Sequence, residues 1–168
     1  KMEKINKSIS WKGHSDTEIL LELIDHFGLK ESLELCVGMF ALAIWDRKEK
    51  CLQLARDRLG EKPLYYGFMG TGKDTSFVFC SELSSIKKLE CFDKKINIQA
   101  LFELINYQAI LAPNSIYENI FQLEPGHLLK LKSPRKELMK SSIPWWSLTS
   151  TIENSLKNPI EDEKEAEY

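Results

Sequence analysis

Val37-Gly38-Met39-Phe40-Ala41-Leu42-Ala43-Ile44-Trp45-Asp46, then Arg47-Lys48-Glu49-Lys50, then Cys51-Leu52-Gln53-Leu54-Ala55 is the stretch on which the fold turns. A run apolar on both faces suits a buried strand. The four polar residues after it predict a hairpin turn, and Cys51 to Ala55 predicts the strand that returns. Two further strands are expected at Pro63 to Gly67 and Ser76 to Cys80, joined through a glycine-rich loop. Strands at this spacing imply an antiparallel sheet.

Helices flank that sheet in the sequence. Ser15 or Asp16 offers an N-cap, and Ile19, Leu20, Leu23, Ile24 and Phe27 recur at helical spacing until Gly28 closes the segment. A shorter helical stretch is expected over Lys30 to Leu35. Downstream, Ser81 predicts the cap of a helix through Leu89, Asn97 that of another through about Tyr107, and Gln122 to Lys132 a last strand around the Pro125-Gly126 turn. From Ser133 the pattern gives way to Ser, Pro, Lys and Glu, relieved only by Pro144-Trp145-Trp146, and reads as a linker or tail.

The 168 residues, 43% hydrophobic, suit one domain with a core. Lys and Arg number 23 against 25 Asp and Glu, so no overall field favours nucleic acid or an anionic membrane. Cys36, Cys51, Cys80 and Cys91 form no CxxC pair and have no histidine at zinc-finger spacing, and reduced thiols in a cytosolic protein are expected. Lys1 to Lys12 holds no apolar run of the signal-peptide kind, and no stretch is long and apolar enough to span a bilayer.

Three local patterns invite a chemical reading. Gly67 to Lys73 fits the first seven positions of a phosphate-binding loop, but Asp74 stands where Ser or Thr must hold magnesium, and the residues that follow read as a strand where a helix is required. A hairpin turn is the better expectation. His14, Asp16 and Glu18 alternate like metal ligands, yet acidic residues at a helix start are explained by capping and the dipole. Ala55-Arg56-Asp57-Arg58-Leu59-Gly60-Glu61-Lys62-Pro63-Leu64-Tyr65-Tyr66 is the densest charged run between apolar strands. It reads equally as a solvated connection or as a structured loop in which Arg and Asp build a bidentate ion-pair network. No Ser-His-Asp or Cys-His catalytic unit stands out.

Taken in order, Gly13-His14-Ser15-Asp16-Thr17-Glu18, Gly38 to Asp46 and Ala55 to Tyr66 resemble the glutamine-hydrolysing asparagine synthetases. The likeness continues through Ser81-Glu82-Leu83, Pro125-Gly126-His127 and Trp145-Trp146. It implies an α+β fold of the N-terminal-nucleophile type, a four-layer αββα sandwich with antiparallel sheets, of which the N-terminal part is missing. Residues 1–132 would be a partial glutaminase domain and residues 133–168 a linker toward an absent synthetase domain. The family's nucleophile is an N-terminal cysteine with its own α-amino group as base. No residue matches it, since Lys1 opens the chain, so no catalytic residue is assigned and the chain alone is expected to be inactive.

Asp16 carries over as the carboxylate that holds the α-ammonium of bound glutamine. Arg56 and Asp57 match the family's signature but are assigned to loop and interface architecture rather than to chemistry. The resemblance implies glutamine and a synthetase domain of the same polypeptide as partners, a homodimer of the parent enzyme, and a cytoplasmic location. No cofactor is expected in this chain, ATP and Mg belonging to the synthetase domain. A degenerate domain, kept as a binding or regulatory module without catalysis, is the other reading.

Overall fold

The computed structural model describes Gly13 and residues 15–70, 72, 75–132 and 142–159. Two compact units divide the chain, residues 1–37 and 38–168. In the first, α1 (Asp16–Phe27) and α2 (Leu29–Leu35) contact one another, with Leu23, Leu29 and Leu33 buried. Helix α1 begins where the capping pattern places it: Ser15 is the N-cap and its hydroxyl accepts from Thr17 N at 3.2 Å. Gly28 closes it, at φ 84, with its N–H on Ile24 O.

The second unit holds strands β1 (Ala41–Asp46), β2 (Cys51–Arg56), β3 (Tyr65–Met69), β4 (Ser76–Cys80), β5 (Ile120–Gln122), β6 (His127–Leu131) and β7 (Ile143–Pro144). Helices α3 (Leu83–Ile86), α4 (Ile98–Tyr107) and α5 (Leu148–Lys157) complete it. Among the described residues every strand pair is antiparallel, and the strands form two sheets, ordered β1-β2-β6-β7 and β4-β3-β5. The hairpin at residues 47–50 is fixed by Asp46, whose Oδ1 accepts from Lys48 N and Glu49 N, both at 2.9 Å.

One core joins the sheets. Leu54 of β2 and Leu129 and Leu131 of β6 cluster with Leu64, Leu123 and, from β3, Tyr66 and Phe68. Side chains alternate across a strand, so Tyr65 and Met69 of β3 point to the other face of the second sheet. There they meet Ile86, Phe92, Tyr117 and Ile120 under α3 and the segment after it. The structure thus has antiparallel sheets sharing a core and helical cover on one of them, an α+β arrangement.

Several expectations are corrected. Strand β1 starts at Ala41 and not at Val37, and it is an edge strand with Trp45 57% exposed, because only β2 pairs with it among the described residues. Ser81 does not cap a helix to Leu89: α3 is a single turn with Glu82 as its N-cap and no side-chain cap bond. The strand expected over Gln122 to Lys132 is two strands in different sheets, since the chain leaves β5, crosses the Pro125-Gly126 turn and enters β6. Within residues 133–168, β7 extends the first sheet and α5 follows, capped by Ser147 accepting from Ser150 N at 3.4 Å. Residues 133–141 and 160–168, like Lys1 to Lys12 and His14, lie outside the described residues.

Gly67 belongs to β3 and not to a phosphate loop. A Cβ there would collide with Asn119 O and lie 2.7 Å from Ile120 Cδ1, so the residue is glycine because the start of β5 passes directly over it. After Thr75 the chain enters β4, as a hairpin requires. All four cysteines are free thiols; Cys51 is buried and Cys91 exposed, and burial pushes the Cys80 thiol up.

Candidate functional site

Asp16 occupies the first position of α1 and is exposed. Its Oδ1 accepts from Thr17 N at 2.7 Å and lies 3.4 Å from both the Ser15 and Thr17 hydroxyls. These contacts converge on one oxygen and orient the carboxylate. Among the described residues no cation lies within ion-pair distance of it. Glu18, also in the first turn, accepts from Gly13 N at 2.9 Å through Oε2 and so closes the chain back onto the helix start. The described residues hold no cluster of three potential metal ligands.

The charged run between β2 and β3 is a structured loop, and its construction differs from the expected ion-pair network. Arg56 does not grip a carboxylate. Its Nε donates to Lys62 O at 2.9 Å, Nη2 to Gly60 O at 2.6 Å, and Nη1 to Leu123 O at 2.7 Å and Gln122 Oε1 at 3.3 Å. One buried guanidinium therefore ties Gly60 and Lys62 of its own loop to the strand-to-turn segment 67 residues away. Burial lowers its pKa, and the neighbouring Asp57 opposes that shift.

Asp57, 1% exposed, turns to the amides instead. Oδ1 accepts from Glu61 N at 2.9 Å, and Oδ2 from Lys62 N at 2.9 Å and Phe40 N at 3.3 Å. Burial alone would raise the carboxyl pKa, but the amides of Lys62, Glu61, Phe40 and Gly60 outweigh it and hold the group below its ordinary value. The backbone of the same residue bonds Phe40 O at 3.0 Å and receives Gly126 N at 2.8 Å.

Trp145 completes the clasp. Its indole Nε1 donates to Arg56 O at 3.1 Å, its ring stacks on Phe40 at 6.0 Å, and Arg58 lies 5.4 Å above it. Gly126 O receives both Trp145 N and Trp146 N. Sequence motifs far apart thus meet in one place: Phe40, the Arg56 to Lys62 run, Pro125-Gly126 and Trp145-Trp146. Beside them runs an open groove of about 540 Å³ lined in part by Arg58, Leu59, His127, Trp146 and Leu148. Pairing of this kind was not readable from the run itself, because its acceptors are backbone carbonyls and carry no residue signature.

The sheets and clasp define an α+β unit whose signature loop is architectural, and the unit before it carries an exposed carboxylate at a helix start. Residues 1–146 match the family of glutamine amidotransferase domains, to which this chain belongs. It is 35% identical over 130 residues to a Methanocaldococcus jannaschii protein with the provisional name asparagine synthetase [glutamine-hydrolyzing] 2, covering 75% of this chain and 24% of that protein. It is 31% identical over 141 residues to asparagine synthetase [glutamine-hydrolyzing] 3 of Bacillus subtilis, covering 76% and 21%. Against asparagine synthetase [glutamine-hydrolyzing] 2 of the same bacterium the identity is 30% over 147 residues, covering 84% and 19%. The chain therefore spans about a fifth to a quarter of the length of these relatives. No described helix is long and apolar enough to cross a membrane.

Proposed function

We propose that this chain is part of the glutamine-handling half of a glutamine-dependent asparagine synthetase, built on an N-terminal-nucleophile type sandwich. In this reading ammonia released from glutamine passes to a synthetase domain of the same polypeptide, where ATP and magnesium serve the amidation of aspartate. The observation that carries it is the carboxylate of Asp16, exposed and oriented through Oδ1, in a chain whose matched relatives bear the names of glutamine-hydrolysing synthetases. Asp16 would accept a charge-assisted hydrogen bond from the α-ammonium of glutamine and so fix the amino-acid end of the substrate while the side-chain amide reacts elsewhere.

The clasp supports the same reading in a different way. Its hydrogen bonds hold the β2–β3 loop rigid without leaving Arg56 or Asp57 free for substrate. Their part is positioning, and no step of glutamine hydrolysis is assigned to them. The nucleophile is likewise assigned to no residue of this sequence.

The test is glutamine-dependent ammonia release by the full-length polypeptide that carries this sequence, with Asp16→Asn beside it. Losing a charged hydrogen bond of about 1.5–3 kcal/mol raises the KM for glutamine roughly 10- to 100-fold. An unchanged KM would remove Asp16 from the substrate site. Glutamine bound without ammonia release, measured calorimetrically on the same polypeptide, would instead identify a binding module that does not catalyse.

A further inference from the structure

A cavity of about 420 Å³ lies beside the β3–β4 hairpin, within the second unit. Its floor is apolar: Phe68 and Met69 at the end of β3, and Phe92 after α3, are all buried. Its rim is polar and carries Cys91, Asp93, Glu118 and Asn119. Hydrogen bonds hold the segments that bear this rim to one another. Glu118 N donates to Lys95 O at 2.9 Å, Asn97 N donates to Ile116 O at 2.9 Å, and Lys95 Nζ lies 2.8 Å from Glu118 Oε2. A preformed cavity of this size, apolar below and polar above, has the build of a small-molecule site.

Charge selects the ligand. Among the described residues the lining holds two carboxylates, Asp93 and Glu118, and no basic side chain. Lys95 matches Glu118, whereas Asp93 has no cation within ion-pair distance among the described residues. Asp93 Oδ1 accepts from Lys95 N at 3.1 Å, and Oδ2 has no hydrogen bond there. Asn119 adds an amide to the rim. Its φ of 62 is a left-handed conformation that asparagine tolerates, and its carbonyl accepts from Phe68 N at 3.2 Å. Its side chain has no hydrogen-bond partner among the described residues. A metal ion does not suit the cavity, because the floor is apolar and the described residues hold no cluster of three potential ligands.

We propose that this cavity binds a small organic cation with a planar head, an amidinium or guanidinium on a flat apolar body. Asp93 Oδ2 and the side-chain oxygen of Asn119 accept from its N–H groups, and its body rests on the floor of Phe68, Met69 and Phe92. The aromatic rings there add attraction for a cation. A planar head presents several donors in one plane, so a single ligand meets both acceptors, whereas an ammonium is a compact point charge on a flexible stem. The site is independent of how the chain handles glutamine.

Cys91, the exposed thiol on the rim, reports occupancy. The full-length polypeptide is alkylated with iodoacetamide and the rate at Cys91 read by peptide mass, with benzamidine as the probe at up to about 10 mM, a range suited to a ligand of fragment size. Benzamidine is expected to slow alkylation of Cys91 by at least about threefold, and its neutral counterpart benzamide to leave the rate unchanged. Asp93→Asn keeps an acceptor for Lys95 N but removes the charge, and should raise the half-protecting concentration about tenfold. Asn119→Gly keeps the left-handed backbone without the side chain and should raise it several-fold. The contrast between the two probes needs no variant, so it decides the matter even where a variant fails to fold. Three results would each overturn the proposal: no slowing by benzamidine; equal slowing by benzamide; or Asp93→Asn protected as well as the wild type.

Discussion

Replacing Asp57 with Asn changes one atom and tests the clasp directly. The carboxylate receives Glu61 N on Oδ1 and both Lys62 N and Phe40 N on Oδ2. An asparagine offers one oxygen and one NH₂, so whichever way the amide turns, a donor faces at least one backbone N–H. Turned with its oxygen toward Lys62 and Phe40 it loses one bond; turned the other way it loses two. Each hydrogen bond to a charged group contributes about 1.5–3 kcal/mol, and a buried donor left unmatched costs a further 1–3 kcal/mol or so. The expected loss is therefore about 2.5–6 kcal/mol, a large part of the roughly 5–15 kcal/mol that holds a domain together.

Guanidinium unfolding followed by tryptophan fluorescence measures it, because Trp145 is buried beside Arg56. The pH dependence carries a second signature. The folded-state pKa of Asp57 lies below the ordinary 3.8, so its contribution is present above the unfolded pKa and is lost as pH falls through the folded one. The gap between wild type and Asp57→Asn should therefore be full at neutral pH and narrow on acidification below about pH 4. A variant within about 1 kcal/mol of wild type at pH 7, or a gap that widens in acid, would refute the account.

Gly60→Ala should lower the thermal midpoint through a loss of about 2–3 kcal/mol, since glycine sits at φ 70 and a Cβ would stand 2.8 Å from Pro125 Cγ and 3.0 Å from Arg56 Cζ. Trp145→Phe keeps a ring against Phe40 but deletes the Nε1 bond to Arg56 O, and denaturant titration should show a loss of about 1–3 kcal/mol from the carbonyl left buried. Asp16→Asn should leave stability nearly unmoved, because the residue is exposed, while raising the KM for glutamine; a collapse of the fold would show that its role is structural.

Local rules were enough wherever the deciding atoms lie within a few residues. Ser15, Gly28 and Asn97 announce their helix ends because caps act on amides two to four positions away, and Asp46 organises its turn in the same way. The same rules mislead where local pattern and burial disagree. The stretch from Val37 to Asp46 is apolar enough for a buried strand, yet among the described residues β1 pairs with β2 alone, because the number of partners a strand receives is not written in the strand. Ser81 is a good cap residue with no helix to cap, since α3 is a single turn packed beneath the second sheet.

The ordered motifs of the sequence by themselves determined which family this chain belongs to, and the residue types determined that a helix would start at Ser15 or Asp16. Only the tertiary structure decided what Arg56 and Asp57 do. A guanidinium and a carboxylate adjacent in sequence suggest a pair, but inside the fold each finds several backbone partners at once, in their own loop and also, far away in sequence, at Leu123 after β5 and at Phe40 before β1. It also decided that α4 turns its apolar face outward. Periodicity fixes which residues share a face, whereas the direction in which that face points depends on what the rest of the chain places beside it.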